Sequence, residues 1–427
     1  QSLIPQLAGP VERMQRELSD AAELSAAASS AVRLLPPMLG GEGARNYLVL
    51  FQNNAEMRAT GGIPGAVAVL RADNGRLTIE RQGNLHDLGF DEVVPAELTD
   101  EETALYGTKL AAYGADMGLT PDFPRAARLA RDRWLWMQGQ RVDGVLATDP
   151  VALSYLLDAT GPVEVPDGST LAGSNAVERL LSEVYLTEPD RAAQDAFFAG
   201  AARAVFRHVL SAPGDAESML EALMRSADEG RLLVWSGDRG EQALIAGTRL
   251  GGVLPREAGS APFVGVFLND GTAAKMQYYL DHRVDVRPVG CDAGGRQDLE
   301  VTVTLRSTAP DDAARLPESV IGWRSKSDLG PRVRPGHMRL NVHVYAPVGG
   351  AVESLRVDGR DAPVSVVEHL GHPVGSQTVE LAPGEVHRLV YVLSTGAGQS
   401  GIPELRVTPG VRSSGVGTVG ASACEVG

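Results

Sequence analysis

Apolar residues along this chain follow two regimes. Up to about residue 270, short apolar runs alternate with stretches whose apolar positions recur every three or four residues. From about residue 280 onward the period drops to two. The first regime predicts buried strands alternating with helices, and the second predicts half-buried strands. Tyr47 to Phe51 is an apolar run of strand length, and Ala66 to Leu70 is a second. Between them Gln52, Asn53, Asn54, Glu56, Arg58 and Thr60 crowd into a polar loop that ends in Gly61 and Gly62. Asn74-Gly75 then predicts a hairpin turn, with a strand over 76–83 and Arg81 at its far end.

The remaining elements follow in order. Leu3, Leu7, Val11, Met14, Leu18 and Ala22 share one face of a helix predicted over 1–35, which Pro36-Pro37 stops. Residues 121–140 are helical, 142–148 form a buried strand, and Asp149-Pro150 starts a helix as N-cap and first helical residue. Helices over 175–185 and 190–211 and strands at 231–235 and 263–269 complete an α/β layer. Lys275 is read as a strand residue beside Tyr278 and Tyr279, and Trp134, Trp136 and Trp235 as core. About seven strands between 283 and 394, separated by Gly, Pro and Asp turns, suit a β-sandwich. A Gly/Ser-rich tail follows from 398 to 427.

The loop between the first two strands carries the candidate chemistry. Gly61 and Gly62 allow a close approach of backbone to a ligand, or a positive φ. Arg58 can grip a phosphate or carboxylate through two parallel hydrogen bonds; the competing reading is a salt bridge to Glu56 or Asp87. Asn53 and Asn54 suit sugar hydroxyls or a turn. Arg191 at a helix start sits against the positive end of the helix, which a bound anion would relieve; the competing reading is a surface arginine paired with Glu188. Lys275 suits a lipid phosphate or a plain strand position.

Composition narrows the function. At 427 residues the chain is too long for one ordinary core. A net charge of −15 argues against general nucleic-acid binding, which needs a basic face. No apolar run is long enough to span a membrane. The chain begins at Gln1 without Met, which fits a stalk helix following a removed membrane anchor. The two cysteines, Cys291 and Cys424, are too few for a cysteine-rich zinc site. They either form one bridge, which fits an oxidising compartment, or are two unrelated thiols. No P-loop, zincin helix, nucleophile elbow or dinucleotide fingerprint is present.

Four segments carry a resemblance. They are Q-N-N-A-E-M-R-A-T-G-G at 52–62, V-D-G-V-L-A-T-D-P at 142–150, T-G-P-V at 160–163 and N-D-G-T-A-A-K-M-Q-Y-Y-L at 269–280. Over residues 40–400 they resemble the bacterial domain-of-unknown-function family number four-thousand-and-twelve, whose members look like membrane-anchored proteins with an extracytoplasmic body. The order of elements in 45–210 is also similar to the LytR-CpsA-Psr family of cell-wall glycopolymer ligases. Val142 to Thr148, Leu156 to Val163, Leu171 to Val177 and Asp190 to Gln194 resemble that family's successive motifs.

The resemblance implies a LytR-CpsA-Psr-like α/β fold: a mixed central sheet flanked by helices over 41–280, then a β-sandwich-like domain over 281–397. It implies arginines that hold the pyrophosphate of a polyprenyl-linked glycan and acidic residues that hold Mg²⁺. Arg58 and Arg191 match two of those arginines, and Gln194 stands near a phosphate-contacting glutamine, one residue short in spacing. The paired arginines expected before the long helix are replaced by Tyr185-Leu186-Thr187-Glu188, and the expected serine-isoleucine-proline-arginine-aspartate loop by Asn84-Leu85-His86-Asp87. Arg81 or Arg179 would have to substitute. Asp87 or Glu56 would hold magnesium, and Asp87 would serve as the base beside Arg58; the competing reading gives both carboxylates solvated or capping roles. The implied protein binds a prenyl-(pyro)phosphate-linked or other anionic glycan in the cell envelope, and an intact site would transfer glycopolymer to the wall. The alternative is a non-catalytic envelope binding or scaffold protein on a degenerate ligase-like fold. A deep apolar tunnel beside Arg58 and Arg191 separates the two.

Overall fold

The computed structural model describes residues 32–89, 96–211, 215–322 and 333–424. The expected N-terminal helix lies mostly outside the described residues; 32–38 are helical, so Pro36-Pro37 do not stop it before Met38. The first sheet is mixed and has the order β3-β2-β1-β4-β7. Its strands are β1 (Arg45–Asn53), β2 (Ile63–Asp73), β3 (Arg76–Asn84), β4 (Gly144–Thr148) and β7 (Leu233–Ser236); the small hairpin β5 (Val163–Glu164) and β6 (Thr170–Leu171) stands apart. β1 and β4 run parallel, and the other pairings are antiparallel. Asn74 at φ 49 and Gly75 at φ 79 make the β2–β3 hairpin turn, as the sequence predicts.

Alternation places the two faces. Leu48 and Leu50 of β1 point the same way as Val67 and Val69 of β2, and with Trp134 and Trp235 they build one buried core. The helix Phe123–Gln138 covers that face. Pro at its first turn starts it and Gly139, at φ 65, ends it. Trp136 is 58% exposed, so it is not the core residue expected from its apolar character; helical period turns it away from Trp134. The helices Pro150–Thr160 and Arg191–Ser211 lie on the second face with their own core of Leu157, Leu171, Leu180 and Val205.

The second unit is a sandwich of two sheets. One has the order β13-β12-β16-β10-β9-β18 and the other β14-β15-β11-β8-β17. The strands are β8 (Phe263–Asp270), β9 (Leu280–Cys291), β10 (Gln297–Ser307), β11 (Met338–Tyr345), β12 (Ala351–Val357), β13 (Arg360–Ala362), β14 (Ser365–His369), β15 (His372–Leu381), β16 (Val386–Ser394), β17 (Glu404–Val407) and β18 (Val416–Val419). Leu299, Val301, Val303 and Leu305 of β10 meet Leu340, Val342 and Val344 of β11 in the interior. Two boundaries differ from the sequence expectation. β8, which the pattern assigns to the α/β part, is buried along its whole length between β11 and β17, so the sandwich starts near residue 263 rather than 281. Within the Gly/Ser-rich tail, residues 398–424 are tied to the sandwich. β17 pairs parallel with β8 and β18 pairs parallel with β9, and Cys424 is joined to Cys291 by a disulfide.

Candidate functional site

Residues 54–62 leave β1 at its carboxyl end, where open α/β sheets present their sites. The loop is closed by its own backbone: Glu56 N donates to Asn53 O at 3.0 Å, Gly61 N to Arg58 O at 2.7 Å and Ile63 N to Glu56 O at 3.0 Å. Gly61 has φ 133, and a Cβ there would stand 2.5 Å from Gln52 Oε1. A Cβ on Gly62 would stand 2.1 Å from Asn53 O. The two glycines therefore let the chain pack closely on itself.

The loop acts as a wedge between the two units. Met57 is fully buried in the sandwich interior with Val264, Val266 and Leu268. Ala59 packs with Phe263, Phe267 and Tyr345. Ala59 N donates to Asn269 Oδ1 at 2.8 Å, Thr408 Oγ1 to Ala59 O at 3.0 Å and Asp270 N to Met57 O at 2.9 Å. Thr60 N reaches Gly118 O, and its hydroxyl accepts from Gln52. Asn54 donates to Asp149 Oδ2 at 2.9 Å, and Arg231 binds the same oxygen at 3.0 Å. Asp149 is the N-cap that the sequence predicts, accepting from Ala152 N at 2.8 Å.

Arg58 is only 7% exposed. Its Nε and one terminal nitrogen donate to Asp116 Oδ1 at 3.0 and 2.7 Å, and the other donates to Met57 O at 3.0 Å. Burial opposes the charge, yet Asp116, by its charge and its hydrogen bond, holds the guanidinium above its ordinary value. The expected anion-gripping arginine thus points into the protein and is occupied by Asp116, neither of the two partners the sequence suggests. Beneath the loop, the space bounded by Gln52, Thr60, Gly62, Met117 and Phe123 measures about 10 Å³, room for one water. A larger opening of about 300 Å³ lies at the opposite end of β1, walled by Arg45, Arg131, Asp143 and Asp238. Neither is an apolar tunnel beside Arg58.

A polar rim, mostly half-buried and exposed at Asp195, lies beside the wedge. Asn53 donates to Tyr185 Oη at 3.0 Å. Lys275 bonds Glu56 Oε1 at 2.5 Å and lies 4.6 Å from the centre of the Tyr185 ring. Burial pushes the Tyr185 hydroxyl far up, with Glu56 and Asp195 adding to it. The Tyr185 ring in turn stacks on Phe198 at 5.6 Å. Across the sheet edge, Asn84 donates to Asp195 Oδ2 at 2.7 Å. Lys275 belongs to a turn and not to the strand expected of it, because Met276–Tyr279 form a 3₁₀ helix. Gln194 is buried and donates to Glu188 O at 2.6 Å, while Arg191 is exposed at the start of its helix.

Asp87 belongs to a different neighbourhood. Its Oδ2 accepts from Asn84 N at 3.0 Å as part of a capping box, and its Oδ1 accepts from Arg81 at 3.2 Å. Arg81 also bonds Gln138 and lies 5.2 Å from the centre of the Trp134 ring. Arg179 is held by Asp167 and Glu183, each at 2.7 Å. Asp87 is thus committed to a cap and Arg81, and Glu56 to the Lys275 ammonium. Among the described residues, no three His, Cys, Asp or Glu gather as a metal site. Sequence reasoning missed Tyr185, Asp116, Asp195 and Asp270. Only Asp270 carried a signal, its Asn-Asp-Gly-Thr turn.

Residues 42–185 match the family model described as "Protein of unknown function (DUF4012)". This bears out the first family resemblance over that span. No curated protein matches the sequence. Among solved structures, the chain is similar to B. subtilis TagU, a LytR-CpsA-Psr family protein, at 8% identity and a TM-score of 0.28, covering 45% of this chain and 76% of that one. It is similar to a transcriptional regulator from Enterococcus faecalis at 12% identity and a TM-score of 0.30, covering 50% and 74%.

Proposed function

We propose that this chain is a cell-envelope protein that binds glycan or cell-wall polymer without transferring it. One observation carries the reading: Arg58, the arginine that a glycopolymer ligase would turn toward pyrophosphate, is buried and bound to Asp116 and Met57 O. A leaving pyrophosphate needs unspent cationic donors preorganised around it, and this guanidinium is already committed. The small space beneath the loop supports the same reading, since a prenyl chain does not fit in about 10 Å³.

The binding half of the proposal rests on the rim. Asn53, Asn84, Glu56, Tyr185, Asp195 and Lys275 mix neutral amides, carboxylates and one paired ammonium. Such a surface suits hydroxyls, whose donors and acceptors are both satisfied there, better than it suits a polyanion. The disulfide fits an oxidising, extracytoplasmic setting.

The test has two arms. Soluble fragments of envelope glycopolymer are titrated against the wild type and against Asn84→Ala and Lys275→Met. Saturable binding, weakened several-fold in both variants, is expected. Organic extracts of the purified protein are then analysed by mass spectrometry, with Arg58→Ala alongside. A prenyl phosphate that co-purifies with the wild type and is lost from the variant would restore the transferase reading, with Arg58, Arg191 and Gln194 as its phosphate contacts.

A further inference from the structure

The turn after β8 contains two polar atoms that no donor reaches. Asp270 accepts three hydrogen bonds, all on Oδ1: from Thr272 N at 3.0 Å, Thr272 Oγ1 at 2.6 Å and Gln277 Nε2 at 2.7 Å. Its Oδ2 is buried without a partner, and so is Oε1 of Gln277. Both orphans belong to one carboxyl and one carboxamide already joined by a hydrogen bond. Each group is a planar fork, so an amide that donates the N–H on the side of its carbonyl to one carboxyl oxygen can bring its own oxygen toward the other. Two bare acceptors on one hydrogen-bonded pair of groups in the interior are costly. A single proton on Oδ2 becomes a donor to Oε1 and satisfies both.

We propose that Asp270 is a neutral carboxylic acid in the folded protein, closed into a two-bond ring with Gln277, and that its ionisation with rising pH loosens the junction between the sandwich and the 54–62 loop. Charged groups face it from the loop, from its own turn and from β11. Arg58 of the loop, 4.0 Å from Oδ2, favours the anion but is already shared with Asp116. Glu56 disfavours the anion, and Lys275, within the same turn, is bound to Glu56. Arg339 of β11 is paired with Glu380. Burial outweighs these and pushes the carboxyl up to about 6.

The location makes the proton consequential. Asp270 N holds Met57 O, the neighbouring Asn269 holds Ala59 N, and five residues on Lys275 holds Glu56 at the rim. A carboxyl raised in the folded state contributes stability below its unfolded value, near 3.8, and loses it as pH rises through about 6. The junction is therefore tightest in acid and slackens toward neutrality. This inference does not depend on the glycan-binding reading.

The test compares thermal unfolding of the wild type and Asp270→Asn between pH 4 and 8. It also follows the infrared band of a protonated carboxyl over the same range. Asparagine keeps the ring, because its Nδ2 donates to Gln277 Oε1. The folding constant of the wild type should fall roughly a hundredfold relative to the variant across that range, and a carboxyl band titrating near pH 6 should be missing from the variant. A constant difference between the two proteins, or a wild type that gains on the variant as pH rises, overturns the proposal. Should Asp270→Asn not fold, Gln277→Leu removes the acceptor and must shift the titration of the carboxyl band. An unmoved band overturns the proposal equally.

Discussion

Arg58, in the loop between β1 and β2, and Arg81, in β3 of the same sheet, each hydrogen-bond one aspartate, at 2.7 and 3.2 Å. Their side chains are 9% and 41% exposed. Removing Arg58 would leave Asp116 and the Met57 carbonyl facing low dielectric, whereas water would take over the partners of Arg81. The same pairing is therefore structural at the wedge and marginal at the hairpin edge. A polar, glycine-ending loop between two strands is ambiguous for this reason. The residues that grip a ligand are the residues that pin two units together.

The largest effect expected from this contrast is at Arg58. Arg58→Ala strands the Asp116 carboxylate in a site that is 14% exposed, and breaking one partner of such a pair costs about 3–5 kcal/mol. Denaturant unfolding of variant and wild type measures it. A cost below about 1 kcal/mol would mean that the wedge does not depend on this guanidinium and would return Arg58 to the candidate ligand site.

Next comes the staple at the far end of the sandwich. The Cys291–Cys424 bridge closes a sequence separation of 133 residues and holds the segment that carries β17 and β18. Cys424→Ser should cost about 2–4 kcal/mol, and proteolysis should then reach 408–424 first. Equal protease resistance in the variant would show that β17 and β18 hold without the bridge. The sequence left the two thiols open between a bridge and no bridge, and only the pairing of β18 with β9 brings them together.

What the sequence made legible, and what it hid, divides along the same line. Local signals survived: Asn74-Gly75 made its turn, Asp149 capped its helix, and the period-two stretch became sandwich strands. Long-range partners were invisible. Nothing near Arg58 in sequence announces Asp116, which sits 58 positions away in a 3₁₀ turn. β8 reads as an α/β strand because it has no polar residue from Phe263 to Leu268, and a strand buried on both faces loses the alternation that marks a sandwich. The rim was half legible. Asn53, Glu56 and Lys275 were named and do meet, whereas Tyr185 was noted only as a departure from an arginine motif.

A smaller, pH-dependent effect is expected at the sandwich edge, where His387 Nδ1 lies 2.7 Å from Asp358 Oδ2 and Nε2 lies 3.1 Å from Glu380 O. Burial opposes the imidazolium, but Asp358, the Glu380 carbonyl and Glu385 raise the pKa above its ordinary value. A raised histidine contributes stability that is fully present below its unfolded value, near 6.5, and is lost as pH rises through the folded one. His387→Gln should therefore flatten the unfolding midpoint between about pH 6 and 8. A profile unchanged by the substitution would remove His387 from the pH response and leave Asp270 to account for it.

The smallest effect is expected at Arg81 and closes the comparison. Its side chain is 41% exposed, and its carboxylate partner is already satisfied on the other oxygen by Asn84 N. Exposed pairs of this kind contribute about 0–1 kcal/mol, and stacking over Trp134 adds a share of similar size at a surface site. Arg81→Ala should therefore cost less than about 1.5 kcal/mol in the same denaturant unfolding assay. Raising salt should shrink the difference further, because solvent ions screen this pair and do not reach Asp116. A loss comparable to that of Arg58→Ala would mean that the hairpin edge is held as firmly as the wedge, and exposure would no longer distinguish the two arginines.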